Sequence, residues 1–216
     1  MSLLGCLVSM GLGIAVIAPL MQSSSALVRK HTHVEKARLV EQDAIRVLEL
    51  MARAIRMAGY RKIGSLGEYR QGLRMAKVDY IGLEHRTGWN HSDLLWVKHE
   101  PADGTEGDCL GNRVEQLNHG KSQSRTKNGL RYQGFFVKKA GDDRGGSLMC
   151  ASLDRQGRLQ HTSLMNHIDT LHFKWVGQQT RSGEPTSPTR AGVHIALKTT
   201  LMEREFSRFV AFRNAP

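Results

Sequence analysis

No Asp, Glu, Lys or Arg occurs between Met1 and Val28, and the first charged side chain is Arg29. Within that stretch Leu3 to Leu20 is polar only at Ser9. An α-helix over such a run rises about 27 Å at 1.5 Å per residue, close to the roughly 30 Å hydrocarbon core of a bilayer. The segment is therefore read as a membrane-spanning or filament-buried helix carried by Leu3, Leu4, Gly5, Leu7, Val8, Leu12, Ile14, Val16, Ile17, Pro19 and Leu20. A cleaved secretory signal would open with basic residues and close on small ones, and nothing positive precedes Leu3. A lipobox ending at Cys6 would put its apolar stretch before the cysteine, whereas here the stretch follows it. A core helix of a globular domain would show one polar face, and this run is apolar all round.

A different helical pattern follows. Val40, Ala44, Val47, Leu48, Met51, Ile55 and Ala58 recur at spacings of three and four, while Glu35, Lys36, Arg38, Glu41, Asp43, Arg46, Glu49, Arg53 and Arg56 fill the other faces. Gly59 is placed to end the helix in a left-handed conformation, with Arg56 in the last turn. Neither Gly nor Pro interrupts Gln22 to Ala58, so the two stretches read as one long helix, loosened at Gly11 and Gly13 and kinked at Pro19. The expected organisation is 1–28 as the apolar half, 29–58 as the amphipathic half and 59–216 as a globular head.

The head reads as short strands and turns: Lys77–Leu83, Asp93–His99, Gly134–Lys138, Ser147–Ser152, Arg158–Thr162, Ile168–Val176, Gly192–Thr200 and Glu205–Phe212. Leu171, Phe173 and Trp175 alternate with Thr170, His172 and Lys174. Pro101 to Gly104 and Asp154 to Gly157 carry turn chemistry, and the stretches from Asn112 to Leu130 and from Gly177 to Pro188 read as loops. Strands without helical periodicity between them imply an antiparallel sheet, hence an α+β class with the long N-terminal helix packed on the sheet.

Five stretches in order resemble the PilW-like minor pilins of type IV pili: Met1-Ser-Leu-Leu-Gly-Cys-Leu-Val-Ser-Met, Arg56-Met-Ala-Gly-Tyr60, Ser92-Asp-Leu-Leu-Trp-Val97 with Asp108-Cys-Leu-Gly111, Ser147-Leu-Met-Cys150, and Arg213-Asn214. The resemblance implies a pilin-like fold, processing and methylation at Met1, and a stay in the inner membrane with the head in the periplasm before incorporation into an extracellular pilus. It implies other minor pilins and the major pilin as partners, with a role in initiating, priming or capping the fibre. Pilins generally carry Glu at the fifth mature position, where this chain has Gly5. That Glu is thought to neutralise a neighbour's N-terminal amine, so its loss suits a subunit at or near the tip, although packing alone is an equal alternative. A type II secretion minor pseudopilin would show the same outline.

The resemblance pairs Cys109 with Cys150, closing a loop of roughly 42 residues worth about 4 kcal/mol in the chain-entropy model. The pairing is favoured if the head lies in an oxidising compartment, and reduced thiols remain the alternative otherwise. Cys6 reads as a small apolar residue. Asp103, Glu106 and Asp108 lack the spacing of a calcium loop and read as a solvated acidic turn. The ten histidines lack zinc spacing and read as exposed polar residues. No nucleophile elbow, phosphate-binding glycine loop or zinc-protease motif occurs, so neither an enzyme nor a cofactor is expected. The net charge of +11 points to polyanions. Between Gly111 and Gly145 stand eight basic residues against three acids, and Lys121, Arg125, Lys127 and Arg131 are the candidate contacts to DNA phosphates.

Overall fold

The computed structural model describes residues 3–61, 79–101, 107–113, 125–127, 129–141, 145–178, 189–202 and 204–214. One helix, α1, runs from Leu3 to Met57, and seven strands follow: β1 (Ile81–Glu84), β2 (Leu94–His99), β3 (Arg131–Lys139), β4 (Gly146–Leu153), β5 (Leu159–Gln178), β6 (Thr189–Thr199) and β7 (Glu205–Ala211). The strands form one sheet in the order β1-β2-β3-β4-β5-β6-β7, and every neighbouring pair is antiparallel. The class is α+β, as the sequence predicts.

The chain divides into two compact units, Met1–Gln42 and Asp43–Pro216. Composition changes at Arg29, but the structural division lies further along α1 because burial begins only at Ala44. In the first unit α1 is helical through Pro19 without a break in its secondary structure. Its described side chains are exposed except Ala37, Val40 (the first member of the predicted stripe) and Glu41, which are partly buried, and His31 and Glu35 make a single-turn contact of 3.3 Å.

In the second unit the predicted stripe is the buried one. Ala44, Val47, Leu48, Met51, Ile55 and Ala58 are buried, joined by Ala52 and Ala54. Four of these positions are alanines, and the inner face of the sheet presents Leu95, Val97, Phe135, Val137, Leu148, Ile195 and Leu197. Gly59 ends the helix at φ +73°, a conformation that a side chain disfavours. Its N–H donates to Lys98 O at 3.2 Å, and Glu100 N–H donates to Tyr60 O at 2.9 Å, so the helix exit is tied directly to β2.

One correction to the strand reading organises the sheet. Arg158–Thr162 and Ile168–Val176 are not two strands but parts of the 20-residue β5. Its first half pairs with β4 from Leu159 to Ile168, and its second half pairs with β6 from Ile168 to Gln178. Between them the register shifts, with His167 at φ +62° and Thr200 N–H donating to His167 O at 2.9 Å. A bulge adds one residue and breaks the period-two pattern, so Met165-Asn166-His167 looks like a break in sequence although the strand continues. Strand ends elsewhere lie within three residues of expectation, except that β1 starts at Ile81 where the expected strand began at Lys77. Residues 77–78, the turn at 102–104, 114–124 and 179–188 fall outside the described residues.

Replacing Ile55, which is fully buried, with Ala is expected to lower the unfolding free energy of the head by about 2–5 kcal/mol. Denaturant titration of the chain reads this directly. Ile45→Ala, at a position 55% exposed on the same helix, is expected to change it by less than about 0.5 kcal/mol.

Candidate functional site

Three features of the described residues bring functional chemistry together: a carboxylate bound into β5, a cross-linked loop against the end of α1, and an aromatic and basic outer face of the sheet.

Because β4 ends where β5 reaches its midpoint, the second half of β5 lacks β4 on that side. The segment ahead of β2 fills the gap. Asp93 N–H donates to Leu171 O at 2.8 Å, Leu171 N–H donates to Ser92 Oγ at 3.1 Å, and Phe173 N–H donates to Asp93 Oδ2 at 2.9 Å. Asp93 Oδ1 accepts from Arg86 N–H at 3.0 Å, and Nδ1 of His85 and of His172 lie 3.3 and 3.5 Å from the two carboxylate oxygens. Burial works to raise the Asp93 pKa, but the Phe173 and Arg86 amides and the His85 ring outweigh it and hold the group below the ordinary carboxylate range. Nearby, Asn90 Nδ2 donates to the Asp169 backbone and side chain.

Cys109 and Cys150 are joined in a disulfide, with their Cα atoms 6.2 Å apart. Cys150 lies at the centre of β4, opposite Phe135, so the bond fastens the 107–113 loop to the inner face of the sheet. Asp108 shapes that loop. Its Oδ1 accepts from the N–H groups of Leu110 and Asn112 at 3.0 and 2.7 Å, and its Oδ2 accepts from Ser152 Oγ at 2.8 Å. Asp108 is thus a buried loop anchor and not part of a solvated acidic turn, because each carboxylate oxygen is needed inside the fold. Asp103 and Glu106 lie outside the described residues. A cavity of about 100 Å³ separates this loop from α1, lined by Leu50, Met57, His99, Asp108, Cys109 and Gln133 among others. His99 is buried there, which corrects the expectation of exposed histidines. At the β7 edge of the sheet, the Glu49 carboxylate holds Arg56 at 2.9 Å and also binds Arg208 of β7. Those hydrogen bonds, Arg56 first, keep the Glu49 pKa low.

The outer face carries Trp96 beside Gly82, Tyr132 beside Gly134, and Phe136 edge-on to His161 with ring centroids 5.5 Å apart. The Trp96 ring occupies the space above Gly82, where an added Cβ would come within 2.3 Å of it. Lys98 Nζ sits 4.4 Å from the centre of that ring. Burial, and then the Glu84 charge, raise the Tyr132 pKa.

The candidate DNA contacts do not survive as a group. Arg131 is 1% exposed on the inner face of β3, and a guanidinium buried within the fold is not presented to a phosphate. Arg125 is half-buried and Lys127 is exposed in a small bridge with Leu130, while Lys121 lies outside the described residues. Lys138 and Lys139 at the end of β3 are exposed. Of the apolar segment, Met1 lies outside the described residues. Leu3, Leu4, Leu7, Val8, Ile14, Val16, Ile17, Pro19 and Leu20 are helical in backbone, and their side chains lie outside the description. Gly5 and Leu12 are exposed. Among the described residues no helix is long and apolar enough to cross a membrane.

Comparison with known proteins finds no matching family model, no matching curated protein and no matching solved structure.

Asp93→Asn is expected to destabilise the head by about 2 kcal/mol at neutral pH, since hydrogen bonds to a charged group are worth about 1.5–3 kcal/mol. The carboxyl is held low in the fold, so its contribution is complete above the unfolded carboxylate pKa of about 3.9 and is lost as pH falls through the lower folded value. Unfolding titrations between pH 3 and 7 should therefore converge for the two proteins at the acid end. Replacing both Cys109 and Cys150 with Ser is expected to cost about 2–4 kcal/mol in the same assay, and dithiothreitol should reproduce that loss in the parent chain only.

Proposed function

We propose that this chain is a structural subunit of a type IV pilus, a minor pilin that helps to initiate, prime or cap the fibre at or near its tip. The observation that carries the proposal is the pairing of two surfaces on one helix. Met10, Leu12, Met21, Leu27 and Val28 are 58–71% exposed on a stretch without a single charge, whereas the last turns of the same helix are buried in the sheet unit. Exposed large apolar side chains on an uncharged helix call for lipid or protein around them, and a subunit held first in the inner membrane and then in a filament supplies both in turn. The disulfide supports a head folded in an oxidising space such as the periplasm. The pilin-specific arrangement of helix and head is part of the same proposal, as are the other minor pilins and the major pilin as partners. Gly5 bears on position. A subunit lacking an acidic side chain there offers no counter-charge to the amine of a neighbour, which suits an end of the fibre.

Full-length chain from its native cell is expected in the membrane fraction, released by detergent and not by high salt or carbonate. Mass spectrometry of its first residue should show N-methylation at Met1. Leu12→Lys, which places a charge costing about 2.5–3.5 kcal/mol at a helix centre in lipid, should deplete the membrane fraction. Deletion of the gene should remove surface pili and leave protein secretion unchanged. Loss of secretion with pili intact would instead assign the chain to a type II secretion machine, and a detergent-independent soluble chain would overturn the proposal.

A further inference from the structure

Among the described residues, the last strand of the sheet has a neighbouring strand on one side alone. β7 closes the strand order, and among the described residues only β6 pairs with it. Thr199 N–H donates to Arg204 O, and Phe212 N–H donates to Ala191 O. In an antiparallel pair the hydrogen-bonding residues alternate, so Arg204, Phe206, Arg208, Val210 and Phe212 bond to β6, and the N–H and C=O groups of Glu205, Ser207, Phe209 and Ala211 point outward. Free edges of this kind are generally blunted by Pro, Lys, a bulge or an inward charge. β7 contains neither Pro nor Lys, its register with β6 has no shift, and its one internal basic residue, Arg208, is held by Glu49. The side chains that flank this open edge are exposed, and Phe209, 50% exposed, lies across Gly192 of β6.

The sequence of this edge is complementary to itself. In an antiparallel pair of two β7 strands related by a two-fold axis at Phe209, each outward-bonding residue faces another outward-bonding residue. Ser207 then faces Ala211 of a second copy, twice by symmetry, the Phe209 rings meet at the axis, and Glu205 falls opposite Arg213, which lies two residues beyond the end of β7. Glu205 and Arg213 are both exposed, so neither charge has to be withdrawn from the fold to make the pair. The competing alignment about Arg208 places two guanidinium groups opposite each other and leaves Glu205 facing Ala211, and like charges directly opposite are destabilising. Charge therefore selects the register as well as the partner.

We infer that β7 is the docking edge for a second copy of this chain, joined by antiparallel strand addition about Phe209 with Glu205 and Arg213 forming the cross-chain ion pairs. The resulting contact is isologous, closes on itself as a dimer and extends the sheet across both heads. It does not depend on the pilus role proposed above.

The test uses the full-length chain in detergent micelles, with protein mass measured by light scattering over a concentration series. The parent chain is expected to dimerise. Glu205→Arg or Arg213→Glu alone places like charges opposite each other at two symmetry-related positions and should weaken the dimer roughly tenfold. The double exchange, Glu205→Arg with Arg213→Glu, should restore the parent affinity, a rescue that general loss of stability does not produce. A parent chain that stays monomeric at all concentrations overturns the inference. So does a dimer indifferent to either single exchange, since that association would then lie elsewhere, for example along the apolar part of α1.

Discussion

The head depends on one strand serving two partners. β5 pairs with β4 along its first half and with β6 along its second, so the hydrogen-bonded continuity of all seven strands passes through Ile168. This arrangement leaves the second half of β5 without β4 at its side, and unpaired buried amides are expensive, about 1–3 kcal/mol each. Ser92 and Asp93 remove that penalty by giving side-chain oxygens to Leu171 and Phe173. A carboxylate suits this place better than a backbone carbonyl because it can accept from several donors at once, and Asp93 also serves the Arg86 amide and two imidazoles. The long strand, the bulge at His167 and the buried acid are three parts of one solution.

What could be read from the sequence follows from periodicity. The helical stripe from Ala44 to Ala58 and the alternation through Leu171, Phe173, Val193, Ile195 and Leu197 put the right residues inside, since burial on one face repeats at 3.6 or 2 residues. Gly59 was legible as a helix end because few other residues tolerate its conformation. What escaped is what periodicity does not encode. A bulge removes the alternation while leaving the strand intact, so β5 reads as two pieces. Asp93 and Asp108 read as ordinary strand-edge and turn residues because an isolated carboxylate looks the same in sequence whether it meets water or two buried amides. Hindsight offers one local signal: Asp-Cys-Leu-Gly-Asn places a short acid ahead of a Gly whose φ is +79°, the pattern of a side chain folding a loop back on itself.

Charge counting misled in a related way. Arg131 belongs to the basic run in sequence, but strand β3 alternates, and its odd positions from Arg131 to Val137 turn inward. The surface positive charge of that region is accordingly carried by Arg113, Lys127, Lys138 and Lys139 among the described residues, with Arg125 half-buried and Lys121 and Arg144 outside them. Steric need placed the aromatics as well. Trp96 and Tyr132 lie over glycines on neighbouring or same-strand positions, which shields backbone that would otherwise face water and leaves Lys98 above the indole.

The bond between Cys109 and Cys150 encloses a basic stretch of the chain, from Arg113 to Arg144. A peptide bond cut anywhere inside that span leaves both fragments covalently attached, and each retains its own strands of the sheet. A protease cutting once in this region therefore produces a nicked molecule of unchanged mass apart from one added water, which separates into two pieces only when a reductant is supplied.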